Sequence, residues 1–253
     1  MAGEASVERF PGMVQAVTFD FWNTVMWEQP GSLREKRLEV WAETLAKLGV
    51  RLETYQLESA HDAAHQEYVD SWIAGRQFQV QQGVEHMVER LDGDLAAEAK
   101  QALASGFSEA GRRAAIQPCE GVRECLGALR GADVRTGIIC DIGLTPSPVV
   151  VELLNRYGLS GLFDLMVFSD EVGHYKPAVM IFEHALAGLG GARPEHSVHV
   201  GDRRRTDVAG ALAAGMIAVR YNGVYEDEAQ GTPDADIVLT DLNDLPQTLG
   251  LPG

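Results

Sequence analysis

The sequence predicts an α/β protein whose parallel β-sheet is interrupted by an inserted domain of α-helices. Residues 14–19 form an apolar run typical of a strand buried on both faces. From about residue 33 to residue 113 the apolar side chains recur with helical spacing. From residue 121 onward strand-like and helix-like segments alternate, which indicates βα units with right-handed crossovers.

The composition restricts the classes of partner. The 253 residues include 37 acidic side chains against 21 lysines and arginines, which gives a net charge of −16, and 45% of the residues are hydrophobic. Nucleic acids and anionic membranes attract clustered positive charge, so the sequence argues against both as partners. It favours a small molecule or a metal cation, and it makes no prediction of the oligomeric state.

Two features predict a cytoplasmic protein. The chain begins without a basic and then apolar signal segment, and no run approaches the ~18 apolar residues that a membrane span needs. Cys119, Cys125 and Cys140 form neither a zinc-type paired spacing nor an even disulfide framework, which fits a reducing compartment.

The first strand is expected to deliver Asp20 to the ligand-binding edge of the sheet. Val17 and Phe19 supply the β-branched and aromatic side chains of that strand, and Asp20 follows it directly. In open α/β sheets ligands bind outside the carboxyl ends of the strands, so an acid at this position faces the crevice. Asp20 is therefore the candidate reactive group, although an isolated Asp more often caps a turn.

The inserted helices are predicted to form a separate domain of residues 28–113, and residues 1–27 and 114–253 the core domain. Four apolar stripes at three- and four-residue spacing indicate four helices. The stripes are Leu38, Trp41, Leu45 and Leu48; Leu57, Ala60, Ala64, Tyr68 and Trp72; Val84, Met87, Val88 and Leu91; and Leu95, Ala99, Leu103 and Phe107. Their aromatic members are expected to pack in a core rather than to contact a substrate.

Three histidines lie among these helices. His61 and His65 are four residues apart on one predicted helix, the spacing of a possible metal pair. No cysteine is near them and acidic residues are abundant around them, so we expect His61, His65 and His86 to lie on a solvated face instead.

The second part of the chain is predicted to resume the sheet of the first strand. Its expected strands are residues 134–140, 165–168, 198–200, 217–220 and 237–239, and its expected helices are residues 122–129, 148–157, 179–189 and 208–214. Polar groups follow four of the strands of the whole sheet: Asp20, Cys140 with Asp141, Lys176, and Asp202 with Asp207. In a parallel sheet these groups meet at one edge.

This set of side chains suits attack on an anionic centre. Asp20 is a candidate nucleophile, and Lys176 can offset negative charge that develops on the substrate. Mg²⁺ prefers hard oxygen ligands and is commonly held by one or two carboxylates together with substrate phosphate. The sequence therefore predicts a Mg²⁺ site with Asp20 and Asp202 as ligands, although Lys176 taken alone could equally be a surface residue.

These residues, in this order, resemble the haloacid dehalogenase-like (HAD) hydrolases over most of the chain outside the inserted helices. The family's first motif, a strand followed by Asp-x-Asp-x-Thr, is similar to the segment from Phe19 to Thr24. Its second motif, a strand that ends in Ser or Thr, falls at Cys140. Its Lys-Pro motif matches Lys176 and the following proline, and its Gly-Asp motif with a second acid matches Asp202 and Asp207.

The resemblance implies a Rossmann-like three-layer core and a helical cap that closes over a small substrate. It implies a Mg²⁺-dependent hydrolase that acts, through an aspartyl intermediate on Asp20, on a small anionic substrate such as a phosphate ester. The metal would take the Asp20 carboxylate, the backbone carbonyl of Trp22 and Asp202, with Asp207 nearby.

The first departure from the family pattern is Trp22, which stands where phosphatases carry an acid that transfers protons. An indole N–H only donates and does not titrate. Family members without this acid include dehalogenases and phosphonate-cleaving enzymes, and dehalogenases lack the Gly-Asp acid that is present here as Asp202. The alternatives are therefore a dehalogenase or phosphonate-type hydrolase, a phosphotransferase, and a catalytically weak member that binds a metabolite; His174 could replace the missing acid.

Cys140 is the second departure, because the family expects a hydroxyl there that binds a phosphoryl oxygen. A thiol is a weak donor, so backbone N–H groups at Asp141 could take its place, and a buried inert thiol is favoured over a reactive one. Arg203, Arg204 and Arg205 follow Asp202 directly. Trp22, Cys140, Asp141 and Arg203 are candidate substrate contacts, but the arginines could equally pair with neighbouring carboxylates.

Overall fold

A six-stranded parallel sheet carries the core of the protein in a computed structural model that describes residues 14–91, 95–229 and 233–251. The strands are β1 (Ala16–Phe19), β4 (Arg135–Cys140), β5 (Leu165–Phe168), β6 (Ser197–Gly201), β7 (Ile217–Tyr221) and β8 (Ile237–Leu239). Their order in the sheet is β5-β4-β1-β6-β7-β8. The predicted α/β fold with a parallel sheet is confirmed, whereas the N-terminal segment in which we looked for a signal lies outside the described residues.

The sheet places β1 between the two strands that carry the other polar residues. All four residues of β1 are buried, as its apolar composition predicts. Its first residue, Ala16, pairs with Arg135 of β4 on one side and with Ser197 of β6 on the other. Because all three strands run parallel and in register, their carboxyl ends lie side by side.

Some of the helices of the core unit pack on this sheet through one apolar cluster. The helices of this unit are α5 (Val122–Gly131), α7 (Ser169–Val172), α8 (Val179–Gly188), α9 (Ala209–Ala213) and α10 (Leu245–Thr248). Ile139 of β4 and Val167 of β5 share a buried cluster with Phe182 of α8. A Cβ at Gly210 of α9 would lie 2.4 Å from the Phe182 ring, so this glycine allows α8 and α9 to approach each other closely.

The second unit contains α1 (Ser32–Lys47), α2 (Thr54–Ile73), α3 (Val80–Arg90), α4 (Ala97–Arg113) and α6 (Ser147–Arg156). Trp41, Leu57, Met87 and Leu103, one from each of the first four helices, lie in its buried core. The indole N–H of Trp41 donates to the carbonyl of Leu103 at 3.0 Å, so the aromatic ring joins α1 to α4. The prediction that Trp41 is a packing residue is confirmed.

One expectation about the histidines was wrong. His61 is only 4% exposed, because its ring lies beside Trp41 and above His65, at centroid distances of 6.0 and 6.1 Å. His65 and His86 do reach solvent, as predicted. Among the described residues His61 and His65 belong to no group of three or more potential metal ligands.

The division of the chain by contacts differs in detail from the predicted domain boundaries. One unit comprises the chain up to Trp27, Gln117–Asp141 and the chain from Tyr157 onward, and the other comprises Glu28–Ile116 and Ile142–Arg156. The short strands β2 (Met26–Glu28) and β3 (Ile116–Pro118) form a two-stranded sheet at two of the four points where the chain passes from one unit to the other. Three residues are too few to show a strand periodicity, so the sequence did not reveal them. The role of the helices as a cap over Asp20 stays a prediction.

None of the helices in the described part of the chain is long and apolar enough to cross a membrane. Cys119, Cys125 and Cys140 are all buried free thiols.

Candidate active site

Asp20 continues the hydrogen-bonding pattern of β1 and then turns the chain. Its backbone N–H donates to the carbonyl of Val200 in β6 at 2.8 Å, and its side chain is buried. Three residues later Asn23 takes a left-handed backbone conformation with φ of 58°, which Asn tolerates better than most residues. This turn brings the Asn23 amide to the Asp202 carboxylate, to which it donates at 3.1 Å.

Lys176 connects two of the carboxylates. Its ammonium group is 2% exposed and lies 2.5 Å from Asp20 Oδ1 and 2.6 Å from Asp207 Oδ1. The Asp141 carboxylate accepts the backbone N–H of Lys176 at 3.0 Å and so fixes the loop that carries the ammonium group. Charge-assisted hydrogen bonds of this kind are the strong ones, so Asp20 is held in one orientation.

The end of β6 supplies Asp202 and Asp207. A Cβ at Gly201 would lie 2.3 Å from Asp207 Cγ, so only glycine allows the Asp207 side chain to lie across this strand end. A π-helical turn, Arg204–Val208, places Asp207, whose Oδ2 accepts the backbone N–H of Arg203 at 2.9 Å. The Gly-Asp motif thus works as a unit in which the glycine makes room for the second acid.

Three carboxylates converge on one point. Asp20, Asp202 and Asp207 each offer an oxygen within 4.8 Å of the others, and they form the one such group in the described part of the chain. Three carboxylates against the single ammonium group of Lys176 leave two negative charges in a buried place. Hard oxygen donors with this residual charge fit a divalent cation such as Mg²⁺.

The pKa values reflect the unbalanced charge. Burial, together with the charge of Asp207, raises the pKa of Asp202 to about 7. Burial also raises the pKa of Asp20 well above its usual range, although Lys176 opposes this shift. Burial would raise the pKa of Asp207 as well, but Lys176 and the hydrogen bond from His199 lower it below its usual range. Asp20 and Asp202 are therefore the two carboxylates that a cation would stabilise most.

Trp22 and Cys140 stand at the two positions where the sequence departs from the family pattern, which has an acid and a hydroxyl group there. The Trp22 ring is half-buried and packs edge-on against Phe21, with ring centroids 4.9 Å apart. Cys140 is fully buried, and its thiol donates to the Asp141 carbonyl at 3.7 Å. Burial, and then the charge of Asp20, raises the pKa of Cys140 well above its usual range, so it is a neutral thiol and not an activated nucleophile.

The arginines that follow Asp202 have partners of their own. Arg203 Nε lies 3.9 Å from Asp202 Oδ2, and its guanidinium group lies 4.8 Å from the centre of the Tyr225 ring. Arg204 pairs with Asp234 at 3.4 Å. The arginines were expected either to contact the substrate or to pair with neighbouring carboxylates, and the geometry favours pairing with neighbouring groups.

His199 and Thr18 belong to the site but were not predicted. His199 Nε2 lies 3.2 Å from Asp207 Oδ1, and His199 Nδ1 lies 2.9 Å from the Thr18 hydroxyl. The two residues are paired positions of β6 and β1. Two polar residues opposite each other in otherwise apolar strands are a signal that sequence inspection could have used.

Comparison with known proteins agrees with this geometry. The family model described as haloacid dehalogenase-like hydrolase matches residues 14–215. A glyceraldehyde 3-phosphate phosphatase of Methanothermobacter thermautotrophicus is 36% identical over 135 residues, which cover 53% of this chain and 58% of that protein. The chain thus spans a little over half the length of this relative.

Two further similarities cover more of the chain. A phosphoglycolate phosphatase of Photorhabdus laumondii is 29% identical over 192 residues, or 75% of this chain and 80% of that protein. The crystal structure of a 2-haloacid dehalogenase from Pseudomonas syringae superposes with a TM-score of 0.69 at 23% identity, covering 94% of this chain and 99% of that one. At this identity the structural likeness concerns the fold alone.

Proposed function

The chain belongs to the haloacid dehalogenase-like hydrolases, and on that premise we propose that it is a Mg²⁺-dependent phosphatase that acts on a small, anionic phosphate ester through Asp20. The observation that carries this proposal is the buried Asp20 carboxylate, held at 2.5 Å by Lys176 beside two further carboxylates. A fixed carboxylate at the carboxyl end of the central strand is placed for nucleophilic attack in the crevice that such sheets use.

The proposed reaction has two steps. A carboxylate oxygen of Asp20 forms a bond to phosphorus while the bond from phosphorus to the ester oxygen breaks, and the ester oxygen takes a proton from solvent water and leaves as the alcohol. A water molecule then attacks the phosphorus and loses a proton to solvent, while the bond between phosphorus and the Asp20 oxygen breaks and releases inorganic phosphate and the free carboxylate. Lys176 orients the carboxylate and offsets charge on the phosphoryl oxygens in both steps.

Asp20, Asp202 and Asp207 supply the oxygen atoms that would hold Mg²⁺, and the family resemblance adds the backbone carbonyl of Trp22. Bound there, the ion would neutralise phosphoryl charge and so favour attack by an anion on an anion. Asn23 keeps Asp202 in place by its 3.1 Å hydrogen bond.

Trp22 supports a second candidate, a phosphotransferase. An indole ring takes the place of the acid that would activate water, and the Cys140 thiol is neutral and buried. General acid-base catalysis contributes about 10²–10⁴-fold to a rate, so an aspartyl phosphate without it would persist and could be captured by an acceptor alcohol. The carboxylates Asp202 and Asp207 argue against the metal-independent dehalogenase alternative.

The test is a release assay on a panel of phosphate monoesters, phosphonates and 2-haloacids, each with and without Mg²⁺. We expect the wild-type protein to release phosphate from monoesters only when Mg²⁺ is present. Asp20→Asn should release no phosphate under either condition. Halide release without metal, or undiminished phosphate release by Asp20→Asn, would overturn the proposal.

A second assay separates hydrolysis from transfer. Adding an acceptor alcohol should divert wild-type product towards the phosphorylated alcohol if the aspartyl phosphate persists. Trp22→Asp restores the missing acid and should raise hydrolysis by up to about 10²–10⁴-fold, while Trp22→Phe serves as the control without a titrating group. If Trp22→Asp gains nothing over an already fast wild type, another group such as His174 transfers the proton.

A further inference from the structure

Arg37 in the helical unit is a buried cation without a carboxylate partner. It lies on α1, is 6% exposed, and donates from Nη2 to the Thr145 hydroxyl at 3.3 Å. Its guanidinium carbon lies 5.9 Å from the centre of the Phe107 ring. Among the described residues no carboxylate comes within ion-pair distance of Arg37, and its Nε is buried without a hydrogen-bond partner. Arginine is rarely buried unless it is paired, so this guanidinium group is suited to bind an anion.

His61 on α2 presents a second unsatisfied atom. Its Nδ1 lies 3.0 Å from Asp62 Oδ1, and a carboxylate only accepts, so Nδ1 carries the proton. Burial lowers the pKa of His61 to about 4, which keeps the ring neutral at pH 7. Its Nε2 therefore carries a lone pair, and that atom is buried without a hydrogen-bond donor.

The two side chains belong to one cluster. Phe107, which lies beside Arg37, contacts Trp41 at a centroid distance of 5.1 Å, and Trp41 lies 6.0 Å from His61. The charge of Arg37 contributes to the lowered pKa values of both His61 and His65, although burial is the larger cause. The His65 ring stacks on His61 and is exposed, so the cluster extends from the buried interior of the helical unit to its surface.

Neighbouring acids are already engaged. Asp62 lies at the opposite edge of the His61 ring and pairs with Arg34 at 3.4 Å. Glu28 accepts the backbone N–H of Leu33 at 2.6 Å. The charge of Glu28 partly offsets the lowering of the Arg37 pKa by burial. Neither carboxylate forms an ion pair or a hydrogen bond with Arg37, so its Nε–H stays available to an acceptor from outside these acids.

We propose that Arg37 and His61 form an anion-binding site in the helical unit, and that its ligand is a small oxyanion that also carries a hydroxyl group. The oxyanion accepts the Nε–H of Arg37 and compensates its charge. The hydroxyl group donates to Nε2 of His61. A hydroxycarboxylate satisfies both atoms at once, whereas a simple carboxylate satisfies only the first.

The test measures binding without catalysis. The probes are glycolate, which carries a carboxylate and a hydroxyl on adjacent carbons, and acetate, which lacks the hydroxyl; both are titrated by calorimetry and by thermal unfolding without Mg²⁺. For wild type we expect saturable glycolate binding, a rise in Tm, and acetate binding at least about tenfold weaker, which corresponds to about 1.4 kcal/mol.

Variants test whether Arg37 binds the carboxylate of the probe and His61 binds its hydroxyl group. Arg37→Met should abolish the glycolate shift, while Arg34→Met, an exposed arginine on the same helix, should retain it. His61→Phe should keep carboxylate binding but lose the preference for glycolate over acetate. Should Arg37→Met fail to fold, Arg37→Lys keeps the charge but removes the Nε donor, and it should bind glycolate at least about tenfold more weakly than wild type. A wild type that ignores both probes, or an Arg37→Lys or Arg37→Met that binds glycolate as wild type does, would overturn the proposal.

Discussion

Lys176 in the core unit and Arg37 in the helical unit are equally buried cations with opposite surroundings. Lys176 is 2% exposed and lies between two carboxylate oxygens at 2.5 and 2.6 Å. Arg37 is 6% exposed and has a hydroxyl, an aromatic ring and an unsatisfied Nε around it. Burial costs the same kind of desolvation free energy in both places, but only in the core unit do carboxylates contact the cation; Arg37 has the charge of Glu28 without an ion pair. In the core site three carboxylates outnumber one ammonium group, whereas in the helical unit one guanidinium group has no carboxylate in contact.

Replacing each cation with a neutral side chain should give the largest difference between the two regions in the free energy of unfolding. Lys176→Met leaves Asp20 and Asp207 facing each other in a buried place, and breaking such a pair typically costs about 3–5 kcal/mol. Arg37→Met removes a charge that has no ion-pair partner and that only the more distant Glu28 partly offsets, so the free energy of unfolding should change little. Urea denaturation of the two variants without Mg²⁺ checks both values.

Phosphate release by the Lys176 variants gives a second measurement for this comparison. Lys176→Met should also abolish phosphate release, and Lys176→Arg should not restore it, because the larger planar group does not fit between two oxygens that a single nitrogen already contacts. Equal stability losses in Lys176→Met and Arg37→Met would contradict the distinction between a paired and an unpaired cation.

The sequence predicted one of these cations and not the other for a physical reason. Lys176, Asp20 and Asp202 each follow a predicted strand, and the ends of parallel strands meet whatever the details of packing. The burial of Arg37 depends on contacts with Phe107 and with Thr145, which is 108 residues away. No local pattern encodes a contact over that distance, so the helix periodicity showed where α1 lies but not which of its charges is buried.

The same reasoning explains the wrong prediction for His61. A histidine between acidic residues on an amphipathic helix resembles a surface residue, and its exposed neighbour His65 is one. The packing of Trp41 against α4 draws His61 inside, which only the assembled helices reveal. In the core unit, His199 and Thr18 were within reach of sequence analysis, because their pairing follows from strand register.

Changes of pH should destabilise the two regions in opposite directions. The pKa of Asp202 is raised to about 7 in the folded chain, so without metal the unfolded chain releases this proton first, and stability falls as pH rises from about 4 to about 7. The pKa of His61 is lowered to about 4, so its contribution to stability is complete above about 6.5 and is lost as pH falls towards 4.

Thermal unfolding measured between pH 4 and pH 8 in the presence of a chelator checks both dependences of stability on pH. Asp202→Asn should reduce the loss of stability as pH rises to the part that the raised pKa of Asp20 contributes, and should leave the loss as pH falls. His61→Phe should remove the loss as pH falls and leave the loss as pH rises. The comparison fails if one variant flattens both limbs of the profile.

Mg²⁺ should stabilise the core unit without involving the helical unit. At a concentration of 100 times Kd, a ligand that binds only the folded chain adds about 2.7 kcal/mol. We expect Mg²⁺ to raise Tm in wild type and in Arg37→Met by equal amounts, and to leave Asp202→Asn unchanged. A Mg²⁺ shift that survives Asp202→Asn would place the cation away from the three carboxylates.

We expect the smallest difference in stability between the two regions at Thr18, which contacts His199, and Thr145, which contacts Arg37. In the neutral ring of His199, Nε2 donates to Asp207, so Nδ1 accepts from the Thr18 hydroxyl at 2.9 Å and this bond favours the tautomer. The Val198 carbonyl, 3.3 Å from the same hydroxyl, is the competing acceptor. Thr145 only accepts a longer bond, 3.3 Å, from Arg37. Removing either hydroxyl by Thr→Val should cost about 0.5–1.5 kcal/mol at most, and the stability values alone would not separate the two.

Their effect on the reaction should separate them. Thr18→Val frees the His199 ring to take the other tautomer, which turns a lone pair towards the Asp207 carboxylate and disturbs the oxygen that Lys176 shares. We expect kcat and the apparent Mg²⁺ affinity to fall with little change in KM, and Thr18→Ser, which keeps the hydroxyl, to restore both. Thr145→Val acts on Arg37 alone and should leave kcat and Mg²⁺ affinity unaltered. If Thr18→Val changes only stability, the hydroxyl merely fills a buried hydrogen-bonding position, and the precise orientation of Asp207 does not depend on the tautomer of His199.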